Sequence, residues 1–138
     1  MYKIDIKDLR IGNLIYHKDC HIPLQISGVK DGEVYLKHSF AHNRTVGFVR
    51  QDRPSVCSID EIKPIPLTKE ILEKNGFIRY GTNYTLVEYN FSLGNPSNPS
   101  RYYDNYFVLV DRRGVNVKYV HQLQNILRDA GIEKEITI

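Results

Sequence analysis

The chain opens on short alternations of apolar and polar residues, each cut off by turn formers. Leu14 and Tyr16 share one face of a candidate strand over 13–17. Leu24, Ile26 and Gly28 alternate with Gln25 and Ser27 in the next. Asp31-Gly32 then falls between two β-prone runs, and Val34 and Leu36 share a face of the returning strand. An Asp-Gly pair in that setting predicts a two-residue hairpin, because both central positions of a type I′ turn take positive φ. Val46 and Phe48 mark a further strand over 45–50, and 56–59 is the last. Short strands at close intervals predict an SH3-like small β-barrel over residues 1–63, since closure removes exposed edges.

Pro64 and Pro66 stop any strand, because neither can donate a ladder hydrogen bond. A helix is predicted near 68–75. Thr68 is a good N-cap, Glu70 suits the first turn, and Leu67 can staple to Leu72. Ile71, Leu72 and Phe77 form its apolar stripe, and Gly76 is placed for a left-handed residue just past its end. So short a helix is unstable alone and must dock.

Alternation returns over 84–93, read as one half-buried strand with Thr85, Val87, Tyr89, Phe91 and Leu93 on one face. The Pro, Asn and Ser of 94–100 predict a mobile loop. Residues 102–110 are apolar on both faces, as an inner strand requires, and 111–114 reads as a turn before an antiparallel return over 115–118. A second helix is predicted over 119–130, with Tyr119, Leu123 and Ile126 on one stripe and Gly131 ending it. Ile132, Ile136 and Ile138 leave the tail as an edge strand or a loose end. The expected class is β-rich α+β: the barrel joined to an antiparallel sheet with two helices over 64–138, both parts packed as one unit.

Composition adds limits. The 138 residues suit one domain or two small ones. Net charge is +3, with nearly equal acid and base on either side of Pro66. Neither half is the strongly basic module that holds a nucleic-acid backbone by bulk charge. Two cysteines, Cys20 and Cys57, are too few for a disulfide framework. The start, MYKIDIKDLRIG, is charged and alternating rather than a secretory apolar core, and no apolar run is long enough to cross a bilayer. A cytoplasmic protein away from membranes is expected.

Three groups could carry chemistry. His17 and Cys20, with His38 and His42, have separations that zinc ligands use, because one turn can present both donors of a pair. The competing reading is scattered imidazoles in barrel loops. The later half interleaves tyrosines with Arg101, Arg112 and Arg113, and Tyr102-Tyr103 adjoin the Pro/Asn/Ser loop. Aromatics with arginines on a sheet can stack single-stranded bases and bind their phosphates. Tyrosines also favour strands for packing reasons alone. His121 and Gln122 sit early in the last helix, as a polar binding spot or as groups bonded internally. No Gly-rich phosphate loop, dinucleotide fingerprint, nucleophile elbow or HExxH motif occurs, so no cofactor is expected.

The segments DLRIGNLIY, IKPIPLTKEILEKNGF and VKYVHQLQNIL occur in this order. Together they resemble a family of small uncharacterised proteins encoded by gut Bacteroidetes and by their prophages and mobile elements. The resemblance implies an intracellular protein of bacterial or phage origin and carries over no functional residue. The function expected first is a non-enzymatic interaction or binding module with a protein or nucleic-acid partner. The alternatives are a nucleic-acid-binding accessory factor of a phage or mobile element, and a metal-dependent enzyme using the His/Cys group.

Overall fold

The computed structural model describes residues 4–18, 20–38, 55–94, 106–110 and 113–138. Side chains at 20, 21, 38, 55, 109, 110 and 113 fall outside that description, although their backbones lie in strands. The strand expected over 45–50, the loop after Gly94 and Asp111-Arg112 of the expected turn also lie outside it. The chain divides into two units, Met1–Ile65 and Pro66–Ile138.

The first unit is an antiparallel sheet of β1 (Leu14–His17), β2 (Cys20–Lys30), β3 (Glu33–His38), β4 (Ser55–Ser58) and β5 (Ile62–Lys63). Their order is β4-β3-β2-β1-β5. Asp31 (φ 49°) and Gly32 (φ 77°) close the β2–β3 hairpin at the pair Lys30–Glu33, with the positive φ at both positions that a type I′ turn needs. The core takes every second residue: Leu24 and Ile26, Val34 and Leu36, then Cys57 and Ile62, with Ile4 and Leu9 beside them. In β1 the buried residue is Ile15, not Leu14 or Tyr16, which stay half-buried on the other face. Alternation there marked the strand but not its inward side, because both faces of β1 are apolar.

Upstream, the DLRIGN segment folds into a turn that ties onto β2. The Asn13 side chain is buried, and its Oδ1 accepts the Arg10 N–H at 2.8 Å. Gly12 N–H donates to Ile26 O at 2.7 Å, and Ile26 N–H to Asn13 O at 2.8 Å. Gly12 has φ 94°, a value that favours glycine. A 3-10 turn, Ile59–Glu61, joins β4 to β5. Among the described residues these two strands are the sheet's edges and do not pair with each other.

The second unit holds α1 (Lys69–Lys74), β6 (Ile78–Tyr80), β7 (Asn83–Leu86), β8 (Phe91–Gly94), β9 (Tyr106–Val110), β10 (Arg113–Val117) and α2 (Val120–Asp129). Its antiparallel sheet is ordered β10-β9-β8-β7-β6. Thr68 Oγ1 accepts the Ile71 N–H and starts α1. Both helices end in the same way. Gly76 and Gly131 take φ 88° and 75°. Phe77 N–H then reaches back to Leu72 O at 3.0 Å, and Ile132 N–H to Leu127 O at 2.9 Å. These are Schellman bonds, and they satisfy carbonyls that the helix leaves open.

Leu72, Val120, Leu123 and Leu127 are buried, as are Tyr84, Leu86, Phe91, Leu93, Tyr106, Val108 and Val117 of the sheet. Phe77 meets Phe91, and Tyr84 meets Tyr106, both edge to face. Residues 84–93 are not one strand. A 3-10 turn, Val87–Tyr89, followed by Asn90 in the left-handed region (φ 51°), folds them into a β7–β8 hairpin. The buried set changes parity, from Tyr84 and Leu86 to Phe91 and Leu93, leaving Val87 and Tyr89 exposed. Asparagine tolerates that φ better than most residues. No helix among the described residues is long and apolar enough to cross a membrane.

Candidate functional site

The residues singled out from sequence do not all meet. Arg101, Tyr102, Tyr103, Arg112 and His42 lie outside the described residues. The Arg113 backbone pairs with Val110 at the start of β10. The Cys20 backbone is the register partner of His17, while His38 pairs with Leu24, four residues further along β2. Among the described residues, no group of three His, Cys, Asp or Glu side chains gathers to hold a metal.

The charged neighbour of His17 is Glu61, with Nε2 and Oε2 3.8 Å apart. Glu61 also closes a capping box: its Oε1 accepts the Ser58 N–H at 3.0 Å. That bond first, then the positive charges of Lys18 and His17, holds the carboxyl below its ordinary range. Nearby Cys57 is buried, and desolvation, helped by the negative Glu61, pushes its thiol up and keeps it protonated. The arrangement suits a structural corner rather than a nucleophile.

A pH signature follows for Glu61. A carboxyl whose folded value is depressed stabilises the fold above the ordinary carboxylate range and loses that contribution as pH falls through the folded value. Glu61→Gln keeps an acceptor for Ser58 but removes the charge. Thermal melts across pH should show the variant below wild type near neutrality and the two converging in acid. A constant offset across pH would assign the difference to packing instead.

In the second unit, Tyr84 and Tyr106 are core residues and cannot stack on a ligand. Gln122 is engaged at the start of α2, where its Oε1 accepts the N–H groups of Lys118 (2.8 Å) and Tyr119 (3.1 Å). His121 is fully buried, and its ring stacks on Tyr119 at 6.0 Å. The His121-Gln122 pair belongs to the interior and the cap of the helix.

The opposite face of this sheet is different. Ile78 and Tyr80 of β6 pair with Thr85 and Asn83, which pair in turn with Ser92 and Gly94, and Gly94 with Phe107. The register sets all of these positions on one face of the sheet, opposite the face of buried Tyr84, Leu86, Phe91 and Leu93. Ile78 is 50% and Tyr80 58% exposed. Phe107 reaches over Gly94, where a Cβ would clash with the far end of the ring, so glycine is what makes room for this aromatic. Thr85 Oγ1 and Ser92 Oγ bond each other at 2.9 Å. Asn116 continues the face on β10. None of these side chains is charged. Arg79 alternates to the other side, its Nε donating to Gly81 O at 3.0 Å.

Sequence reasoning passed over β6 and therefore this face. The signal was present: Gly81-Thr82 separates two β-prone runs, and Gly81 takes φ 61° at the first position of the turn. Glycine at that position is the mark of a type II′ hairpin. No protein-family model, no curated protein and no solved structure matches the chain.

Proposed function

We propose that this chain is a non-enzymatic binding module of a bacterial or phage system, acting in the cytoplasm, and that it docks protein through the outer face of its second sheet. The observation that supports this reading most is the chemistry of that face: exposed Ile78 and Tyr80, the half-buried Phe107, and short uncharged polar side chains between them. Aromatic enrichment with few charges is the composition of the buried centre of protein interfaces. The partner this face suits is an equally uncharged protein surface.

The first unit reads as an SH3-like small barrel in the same proposal. The eleven-residue β2 pairs with β1 through its first part and with β3 through its second, shifting register between Ile26 and Gly28. A bulge of that kind bends a strand, and a bent shared strand lets a small sheet curl on itself. The resemblance to proteins of gut Bacteroidetes and their mobile elements supports the setting.

Nucleic-acid binding would need cations beside the aromatics, and the described side chains of this face supply none. A metal-dependent activity would need a ligand set that the described residues do not gather. Titration with single-stranded and duplex nucleic acid at two salt concentrations tests the choice. No binding that strengthens at low salt is expected; such binding would overturn the protein-docking reading. Affinity capture run in parallel with wild type and Tyr80→Glu is the second arm. A protein partner lost with the variant is the expected result, and one retained equally by both sinks the proposed face.

A further inference from the structure

We infer that the Asn75 amide centres a peptide site that reads main chain. Residues 133–138 lie in it as a strap, which an extended segment of a partner protein displaces. This goes beyond the outer face of the second sheet and does not rest on it. Asn75 is buried at the end of α1, and its own helix orients it: Nδ2 donates to Ile71 O at 2.7 Å. That bond fixes the amide plane and leaves one N–H and the Oδ1 for other partners. Both meet a single residue of the strap. Nδ2 also donates to Thr137 O at 2.7 Å, and Oδ1 accepts the Thr137 N–H at 2.8 Å. Thr137 Oγ1 reaches the same Oδ1 at 3.3 Å. An amide used in this way stands in for a strand edge, which binds a backbone whatever its sequence.

The strap is seated as a bound peptide is. It has no regular secondary structure, yet its sides alternate. Glu133, Glu135 and Thr137 are exposed, whereas Lys134 and Ile138 are half-buried and Ile136 is buried. Lys134 crosses the corner at Gly76, its Nζ 3.8 Å from where a Cβ would stand. The main-chain pair holds any extended segment, and the buried seat of Ile136 selects a branched apolar residue just before the clamped one. The strap can leave without undoing the elements on either side. α2 is already closed by the bond from Ile132 N–H to Leu127 O, which lies before the strap. On the other side, the bond to Ile71 O still holds the amide in place. The strap itself displays the chemistry that a partner segment needs: a free backbone N–H and C=O on one residue and a branched apolar side chain on the residue before. Being tethered, the strap competes at high effective concentration, so a partner meets an open site only in the molecules whose strap is lifted.

The test uses the full chain and a labelled synthetic peptide of residues 132–138. Ile136→Asp lifts the strap, because a carboxylate does not stay buried without a partner. Fluorescence anisotropy should show the peptide binding this variant with a Kd on the order of 100 μM. Wild type should bind it about tenfold more weakly, because its own strap competes. The same peptide N-methylated at the position of Thr137 lacks the clamped N–H and should lose most of this binding. No binding to the folded variant overturns the inference. So does equal binding to wild type and variant, or equal binding of the methylated peptide, since the main chain is then not what is read. A variant that no longer folds, by circular dichroism, overturns it too, because residues 133–138 are then part of the core rather than a strap. Sedimentation addresses the remaining occupant: a wild-type dimer that Ile136→Asp abolishes would assign the site to the strap of a second copy and overturn the partner segment.

Discussion

Leu72→Ala is expected to lower the stability of the second unit by about 2–5 kcal/mol. Leu72 is fully buried on a helix of six residues. A helix that short has no stability of its own, so its place depends on its apolar contacts. Leu72 has a second role, because its carbonyl accepts the Phe77 N–H that ends the helix. The backbone bond survives in the variant; the apolar anchor that keeps it dry does not. Phe77, just beyond, meets Phe91 edge to face, so loosening α1 also loosens the aromatic contact to β8. Chemical denaturation of wild type and variant checks this. A midpoint unchanged within error would mean that α1 is a surface spacer.

Asn75→Ala comes second, with an expected loss of about 1–3 kcal/mol for buried groups left without partners. Asn75 is 4% exposed and caps the C-terminus of α1. Its Nδ2 donates to Ile71 O and to Thr137 O, both at 2.7 Å, and its Oδ1 accepts the Thr137 N–H at 2.8 Å. The side-chain amide thus meets both main-chain groups of Thr137, as a neighbouring strand would. The segment after Gly131 has no regular secondary structure, yet Ile136 is buried. Without the clamp the tail loses its anchor, and hydrogen exchange at Thr137 and Ile138 should quicken far more than exchange in the centre of β8. Asn75→Asp separates shape from chemistry: it keeps the Oδ1 acceptor, loses the Nδ2 donor and sets a carboxylate oxygen against two carbonyls. It should therefore destabilise at least as much as alanine near neutral pH. If the alanine variant exchanges like wild type, the tail is held by Ile136 alone.

Local chemistry was legible wherever the deciding interaction spans a few residues. Asp31-Gly32 specified its hairpin because few other pairs accept positive φ at both positions. Thr68, Gly76 and Gly131 marked helix ends because capping bonds reach only three to five residues. The stripe of α2 was readable because Leu123 and Leu127 repeat at helical spacing. Alternation was weaker evidence. It marked β1 without telling Ile15 from its neighbours, and it ran β7 and β8 together, since period two continues through a turn whose own residues are apolar.

The candidate face was less legible still. Its residues come from five strands, and each is unremarkable by itself. Tyr80 looked like one more tyrosine among seven in the later half. Only pairing makes Tyr80, Thr85, Ser92 and Phe107 neighbours, and only the choice of inward side leaves them outward. The sequence alone determined the short-range elements: turns, caps and the period of each segment, which depend on backbone preferences and near neighbours. The tertiary structure decided which side of each strand is buried, where the hairpin at Asn90 reverses the chain, and that the tail is held by Asn75. Those outcomes rest on contacts between residues far apart in sequence, whose energies are shared between partners and written in neither segment alone.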